Sequence, residues 1–263
     1  MTLYMIGIGL SSPEDITYKG LQAVEKADFV YLENYTSMLQ CKVSDLETFY
    51  NKKILLADRN FVEKKADEIL EKAIHKNVAF LVVGDVFGAT THTDLYLRAI
   101  NKGLGVSVIN NASIINAVGI VGLELYKFGK TTSLPYPEQS FKPQTAYDAI
   151  KTNQQANLHT LILLDIKPDR KMTVNEAINI LLDIEEERKE KVFTKNKMII
   201  GCARIGGNFN IKYGRASDLK KEDFGNPLHC LIVPGKLHFI EEEMLELWTI
   251  KKKVIKIKNN HKK

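Results

Sequence analysis

Residues 79–92 of the 263-residue chain, AFLVVGDVFGATTH, decide the fold class. The stretch begins with five apolar residues, 79–83, whose number and composition are typical of a strand buried on both faces of a parallel sheet. A loop with two glycines, an aspartate and two threonines follows, and a helical pattern begins at residue 91. Ligands of open α/β sheets bind outside the carboxyl ends of the strands. This loop is therefore a candidate binding site.

The same arrangement recurs through the first 110 residues. Four more short apolar or β-branched stretches occur, at residues 3–8, 29–32, 54–57 and 106–109. Helical patterns lie between the strands, at residues 17–26, 44–50, 62–76 and 91–101. Ser44 and Glu47 have the form of a capping box, which would begin the second of these helices. Alternation of this kind predicts βαβ units and a parallel sheet.

The second half is less regular but is again α/β. It predicts a helix at residues 114–126 and strands at 158–164, 198–202, 212–216 and 231–233. The pair Thr173 and Glu176 has the form of a capping box that opens another helix, and a last helix runs from about residue 236 to 248. We place a domain boundary after the fifth strand. This predicts an N-terminal α/β domain, residues 1–111, and a C-terminal α/β domain, residues 112–263, with a cleft between them.

Charge and composition restrict the partners. The formal net charge is +5, but residues 251–263 alone carry seven lysines and no acid, and without them 30 basic residues face 32 acidic ones. A basic groove that tracks nucleic acid is therefore not expected. The basic tail is either a frayed terminus or a contact to an acidic partner or RNA. No apolar stretch is long enough for a membrane span, and three scattered cysteines without a CxxC pair fit a reducing, cytoplasmic location.

Three strand ends carry candidate site residues, each with two interpretations. Gly7 and Gly9 either form a plain turn or begin a dinucleotide-binding loop. In the second interpretation, Ser12 stands where the motif has its third glycine, and Glu33 would supply the acidic residue. Asp85 would hold a ribose hydroxyl or an ammonium group, or cap the next helix. Ser113 would likewise cap a helix or help hold a carboxylate.

Other chemistries lack their patterns. The six histidines show no metal-ligand spacing, and the chain has no P-loop and no GxSxG nucleophile elbow. We therefore predict neither a metal nor a covalent nucleophile, and assign no catalytic residue.

Considered together, these segments resemble one family. LYMIGIGLSSPEDIT (3–17), FLVVGDVFGATTHTDL (80–95), NNASIINAVGIVGLELYKFGKT (110–131) and PLHCLIVPGKLHFIE (227–241) are similar, in the same order, to the diphthine synthase branch of the tetrapyrrole methylase superfamily. The resemblance implies a homodimer of two-domain subunits with S-adenosylmethionine in the interdomain cleft. It also implies methylation of the aminocarboxypropyl-histidine of elongation factor 2 to form diphthine, and the YLENYTS and GDxFGATTH segments favour the version that ends in a methyl ester.

Position by position, the resemblance assigns cofactor contacts to Leu10, Asp85, Gly88, Ser113, Ile114, Leu164, Ile205 and His229. The chain departs from the family at Val86, where members commonly have proline, and it lacks an insertion that eukaryotic members often carry after residue 167. Three alternatives remain: a methylase for a tetrapyrrole, a nicotinamide-dependent oxidoreductase built on Gly7, Gly9 and Glu33, and a non-enzymatic α/β adaptor.

Overall fold

The computed structural model describes residues 1–138 and 142–250. The lysine-rich tail, residues 251–263, and the two interpretations of it lie outside the described residues. Within the described ranges, no helix is both long and apolar enough to cross a bilayer.

The first half forms a parallel sheet, as predicted. Its strands are β1 (Thr2–Gly7), β2 (Phe29–Glu33), β3 (Ile54–Ala57), β4 (Val78–Val82) and β5 (Gly105–Ile109), in the order β3-β2-β4-β1-β5. Every neighbouring pair is parallel, so all five carboxyl ends lie at one edge of the sheet. All five residues of β4 are buried, which is why this strand is a continuous apolar run in the sequence.

Five helices connect and cover these strands: α1 (Tyr18–Lys26), α2 (Val43–Tyr50), α3 (Arg59–Lys64), α4 (Ala66–His75) and α5 (Thr93–Asn101). The single helix predicted at residues 62–76 is wrong: Asp58 caps an earlier start, and Lys65 leaves the helical region (φ −121°, ψ 17°). The capping box predicted for α2 is also wrong. Ser44 lies inside the helix, and the backbone N–H of Lys42 donates to Asp45 (2.8 Å) instead.

The second half forms a mixed sheet. Its strands are β6 (Thr132–Leu134), β7 (Thr160–Leu164), β8 (Met198–Ala203), β9 (Asn210–Arg215) and β10 (His229–Val233), in the order β6-β7-β10-β8-β9. Strand β6 runs parallel to β7, and the other neighbours are antiparallel. The helices are α6 (Ile114–Ala117), α7 (Thr145–Gln155), α8 (Val174–Arg188), α9 (Ala216–Leu219) and α10 (Phe239–Glu246).

The predicted helix at residues 114–126 is only partly present. It ends as α6 at Ala117, and 3-10 turns follow at Val118–Val121 and Leu125–Lys127. Gly122 then adopts a left-handed conformation (φ 93°), and beyond it the backbone N–H of Glu124 donates to the carboxylate of Glu241 (2.9 Å) rather than to its own helix. Helix α7 was not predicted. The capping box that opens α8 is confirmed, because Thr173 N–H donates to Glu176 (2.8 Å) and Glu176 N–H donates to the Thr173 hydroxyl (3.3 Å).

The two sheets lie on either side of the predicted boundary. The first uses strands between residues 2 and 109, and the second uses strands between residues 132 and 233. That residues 1–111 and 112–263 are separate domains stays a prediction.

A buried carboxylate fixes the last helix of the fold. Glu241 is fully buried, and it accepts hydrogen bonds from the backbone of Glu124 and His238, from the Lys127 ammonium and from the His159 ring. Burial alone would raise the pKa of Glu241, but these bonds outweigh it and lower the pKa to about 2 from its usual 4.5. The ionised form therefore joins α10 to the segment before β6 and to the start of β7.

We predict that Glu241→Ala destabilises the protein by about 3–5 kcal/mol, because it leaves the partly buried Lys127 ammonium with only Glu124 as a partner (3.7 Å) and three other donors without their acceptor. Glu243→Ala, an exposed position on the same helix, is the matched control and should change little. Urea unfolding at pH 7 measures both.

The stabilisation by Glu241 should also depend on pH. Since the pKa of Glu241 is lower in the folded than in the unfolded protein, this stabilisation is complete above pH 4.5 and is lost as the pH falls toward 2. The difference in free energy of unfolding between the native protein and Glu241→Ala should therefore shrink over that range. A constant difference would contradict the assignment.

Candidate active site

One cavity of about 700 Å³ lies between the two sheets. The first sheet contributes the loops that follow β1, β2, β4 and β5, all at its carboxyl edge. The second sheet contributes β6, the carboxyl ends of β7 and β8, and the beginning of β10. The cavity thus lies where binding sites of α/β sheets form, and its size is that of a small-molecule site.

Most of the predicted site residues converge on this cavity. Seven of the eight line it: Leu10, Gly88, Ser113, Ile114, Leu164, Ile205 and His229. They come from six separate segments of the chain, which only the fold brings together. The exception is Asp85, which lies behind the wall. Whether any of the eight contacts a cofactor stays a prediction.

Asp85 joins two of the loops that form the wall. Its Oδ1 accepts the backbone N–H groups of Phe87 (2.9 Å) and Gly88 (3.1 Å) in its own loop. Its Oδ2 accepts the Asn110 amide (3.0 Å) and the Asn111 backbone N–H (3.0 Å) after β5. Partial burial alone would raise the pKa of Asp85, but these four bonds outweigh it and hold the pKa below its usual value. The carboxylate therefore organises the wall in its ionised form.

Gly88 is needed for close packing against Ser113. A Cβ at position 88 would lie 2.6 Å from the Ser113 Oγ and 2.7 Å from its Cβ. The absent side chain thus makes room for the serine, whose hydroxyl also accepts the Ile115 N–H at the start of α6 (3.2 Å). Both residues face the cavity, so a larger residue at 88 would change the wall by displacing Ser113.

The His229 ring is held in one tautomer. Its Nδ1 accepts the Val174 backbone N–H (3.2 Å), so Nε2 carries the proton and donates to the carbonyls of Gly225 and Asn226 (3.1 Å each). Burial lowers the pKa of the ring, although the carbonyl contacts oppose it. Both nitrogens are therefore occupied within the protein. A ligand would meet the backbone and the carbon atoms of His229.

Two thiols lie side by side on the second sheet, where they line the cavity. Cys202 on β8 is directly opposite Cys230 on β10. A hydrogen bond between them and burial raise the pKa of Cys202 well above its usual value. The wall therefore presents a thiol, and not a nucleophilic thiolate, to a ligand.

The loop after β2 forms part of the wall that the sequence patterns did not identify. Tyr35 and Thr36 line the cavity, and three hydrogen bonds from their backbone N–H groups and the Thr36 hydroxyl end on the buried carboxylate of Glu33. Burial alone would raise the pKa of Glu33, but His92 and these bonds lower it overall. The only signal in the sequence was the YTS triplet after the strand.

This arrangement weakens the oxidoreductase alternative. Glu33 is fully buried and already bonded, so it is not available to a ribose. A Cβ at Gly7 would lie 2.6 Å from the carbonyl oxygen of Gly84, which shows that this glycine serves the packing of two loops. In the described residues, moreover, no cluster of three or more His, Cys, Asp or Glu side chains could hold a metal ion.

Gln40 connects the two halves at the cavity. Its side-chain amide donates to the carbonyl of Arg204 (3.1 Å) and accepts the backbone N–H of Asn208 (3.2 Å). Its backbone N–H donates to the carbonyl of Ser11 (3.2 Å). A single residue of the loop after β2 thus touches the loop after β1 and the turn after β8.

Comparison with known proteins identifies the class and then the branch. Residues 2–198 match the family of tetrapyrrole (corrin/porphyrin) methylases. The chain is 45% identical to a diphthine methyl ester synthase of Dictyostelium discoideum, over 96% of this chain and all of that protein. It is 48% identical to a diphthine synthase of Methanosphaera stadtmanae, over 92% of this chain and 94% of that protein.

A crystal structure of a diphthine synthase superposes with a TM-score of 0.87 at 37% identity, over 95% of this chain and 96% of that one. The chain therefore belongs to the tetrapyrrole methylase family and, within it, to the diphthine synthases. The resemblance found in the sequence is confirmed, as is the two-sheet α/β fold.

We predict that Asp85→Asn destabilises the protein by about 1–3 kcal/mol, because an amide supplies only one acceptor oxygen where two are used. The NH₂ group would face donors of one of the two loops. Asp94→Asn, which removes an exposed carboxylate paired with Arg98 on the surface of α5, is the matched control. Thermal or urea unfolding measures both. Equal small losses in the two variants would mean that Asp85 does not organise the wall.

Proposed function

We propose that the protein is an S-adenosylmethionine-dependent methyltransferase that acts on the aminocarboxypropyl-histidine of elongation factor 2. Its product would be diphthine and, in the version we favour, the methyl ester of diphthine. The observation that carries this proposal is the similarity, over nearly the full length of the chain, to proteins named diphthine synthase and diphthine methyl ester synthase. We further propose that the protein is a homodimer, as the resemblance implies, and that it works in the cytoplasm, as the cysteine usage indicates.

The cavity fits the proposed methyl donor in size and in chemistry. Apolar walls for an adenine ring are available from Leu164, Ile205 and Met172, while Ser113 and Thr132 supply polar groups. S-adenosylmethionine would supply an electrophilic methyl group on a sulfonium. The residues of the chain would bind it, align it with the incoming nucleophile and exclude water, which are the main sources of rate in an in-line transfer.

The substrate brings its own nucleophiles. The aminocarboxypropyl group carries an amine and a carboxylate, and each attacks the methyl carbon as the carbon–sulfur bond breaks. No metal or covalent nucleophile of the protein is required. The ester-forming version uses both groups, whereas the version that stops at diphthine uses the amine alone.

We predict that the protein binds S-adenosylmethionine and its demethylated product, but not a nicotinamide dinucleotide. Ile114→Trp should weaken both adenosyl ligands about tenfold or more, because the ring would occupy space in the cavity and displace apolar contact area. Ile120→Trp, at an exposed position outside the cavity, is the control. Calorimetric titration measures all the affinities. Tight nicotinamide binding without adenosyl binding would overturn the proposal.

We predict that the protein methylates elongation factor 2 only when the target histidine already carries the aminocarboxypropyl group. Factor from cells that lack the synthase is the substrate, and factor from cells that lack the preceding step is the control. Intact-mass spectra should show one-methyl increments on the first and none on the second. A further methyl that mild alkali removes would indicate the ester. Methylation of a tetrapyrrole but of neither protein would favour the alternative enzyme.

A further inference from the structure

The two nucleophiles of the proposed substrate differ in one respect that the structure addresses. At neutral pH the amine is an ammonium ion, which has no lone pair until it loses a proton. A carboxylate already has its lone pair and loses no proton. An enzyme that acts on both groups therefore needs a proton acceptor for the amine alone. The assignment of this acceptor rests on the proposed function.

Thr36 connects the cavity to a buried acid. The residue is half-buried and lines the cavity, and its hydroxyl donates to Oε2 of Glu33. A hydroxyl has one proton to donate and two lone pairs to accept with. Because the proton is directed at Glu33, the lone pairs of the Thr36 oxygen are available to a donor in the cavity. A substrate ammonium is such a donor.

His92 lies directly behind this acid. Its side chain is fully buried, and its Nε2 is 3.4 Å from Oε2 of Glu33. Neither ring nitrogen makes a hydrogen bond to any residue that the structure describes. Phe80 and Tyr35 flank the ring edge-on, at 5.2 and 6.1 Å between centroids. Buried polar groups nearly always have partners, and one that lacks them calls for an explanation.

We infer that Thr36, Glu33 and His92 form the path by which the substrate ammonium loses its proton. The N–H bond of the ammonium breaks and its proton goes to Oγ1 of Thr36. The hydroxyl proton of Thr36 passes in the same step to Oε2 of Glu33 and onward to Nε2 of His92, 3.4 Å away. The lone pair left on the amine attacks the methyl carbon, and the electrons of the carbon–sulfur bond stay on sulfur.

Glu33 and His92 have different roles in taking up the proton. Glu33 accepts three hydrogen bonds and stays ionised, so it attracts a proton but holds it weakly. The unbonded nitrogens of His92 can hold the proton while the methyl group is transferred. Thr36 is thus the residue that touches the substrate, and Glu33 and His92 are positioning residues that act through it.

Asp165 is the competing candidate, since its carboxylate also lines the cavity. One of its oxygens, however, accepts the backbone N–H of Tyr136 (2.9 Å) and so fixes the segment after β6. Among residues 1–138 and 142–250, no hydrogen bond leads from the Asp165 carboxylate to a second buried side chain. Thr36, by contrast, leads to Glu33 and from there to the buried His92.

The test compares two substrates, of which only the first must lose a proton before it can attack the methyl group. The first is elongation factor 2 with the unmethylated aminocarboxypropyl group. The second is the same factor after exhaustive methylation by the native protein and mild alkaline hydrolysis, which leaves a quaternary amine and a free carboxylate. Thr36→Val should slow transfer to the first on the order of 100-fold and leave transfer to the second unchanged. Thr36→Ser, which restores a hydroxyl, should recover the first rate.

Matched variants separate this role from a structural one. Thr90→Val removes another hydroxyl of the cavity wall, one that donates to the carbonyl of Val86 (2.6 Å), and should leave the ratio of the two rates at its native value. Equal losses on both substrates in Thr36→Val would overturn the inference. So would a selective loss on the first substrate in Asp165→Asn but not in Thr36→Val.

The native protein distinguishes failure of the inference from failure of the proposed function. If it does not methylate the first substrate, the proposed function is wrong. If the native protein methylates the amine but not the carboxylate, there is no rate on the second substrate to compare. The affinity for S-adenosylmethionine is then measured in its place. Thr36→Val should then lose amine methylation at unchanged affinity, and an equal fall in affinity would contradict the inference.

Discussion

The four hydrogen bonds to Asp85 hold the binding edge of the first sheet together. They fix the loop after β4 to the loop after β5, two segments 25 residues apart along the chain. Once the loops are joined, Gly88 packs against Ser113 and both face the cavity. The second sheet then closes the cavity from the other side. The site therefore depends on a carboxylate that is not itself part of the wall.

Charge is arranged so that the cavity suits a cationic donor. Arg204 lines the cavity, but its guanidinium donates to the carbonyls of Asn208, Phe224 and Asn226. Its charge is thus directed into its own turn. The Cys202 thiol stays protonated because burial and the contact with Cys230 raise its pKa, and the His229 ring is neutral because burial lowers its pKa. Much of the lining is consequently made of apolar groups, hydroxyls and thiols, which would neither repel a sulfonium nor be methylated by it readily.

The sequence predicted the first sheet well because buried parallel strands are short apolar runs that alternate with helices. It predicted the second half less well, since there long-range contacts decide local structure. The bond from Glu124 to Glu241 is one example: within the stretch where the pattern favours a helix, the Glu124 N–H donates to an acid that lies 117 residues away. Helix α7 was missed because a proline-rich segment precedes it and hides its start.

The site was predictable to a similar degree and for similar reasons. Strand-end motifs and the family resemblance located seven residues that line the cavity, but neither could show that Asp85 lies behind the wall or that the His229 ring is fully bonded. The loop after β2 was not assigned to the site, because Tyr35 and Thr36 entered only as part of the YLENYTS segment of the family resemblance and Gln40 belongs to no recognisable pattern. Their significance comes from Glu33, His92 and the turn after β8, which approach them only in three dimensions.

The bonds of Gln40 restrict how far the cavity can widen. This residue joins both halves beside the cavity, and the loop that carries it also carries Thr36. Moving this loop away from the turn after β8 would break both side-chain hydrogen bonds of Gln40. Its backbone bond to Ser11 holds the same loop to the loop after β1. The wall that carries Thr36 is therefore stiffened from two directions by one side chain and its backbone.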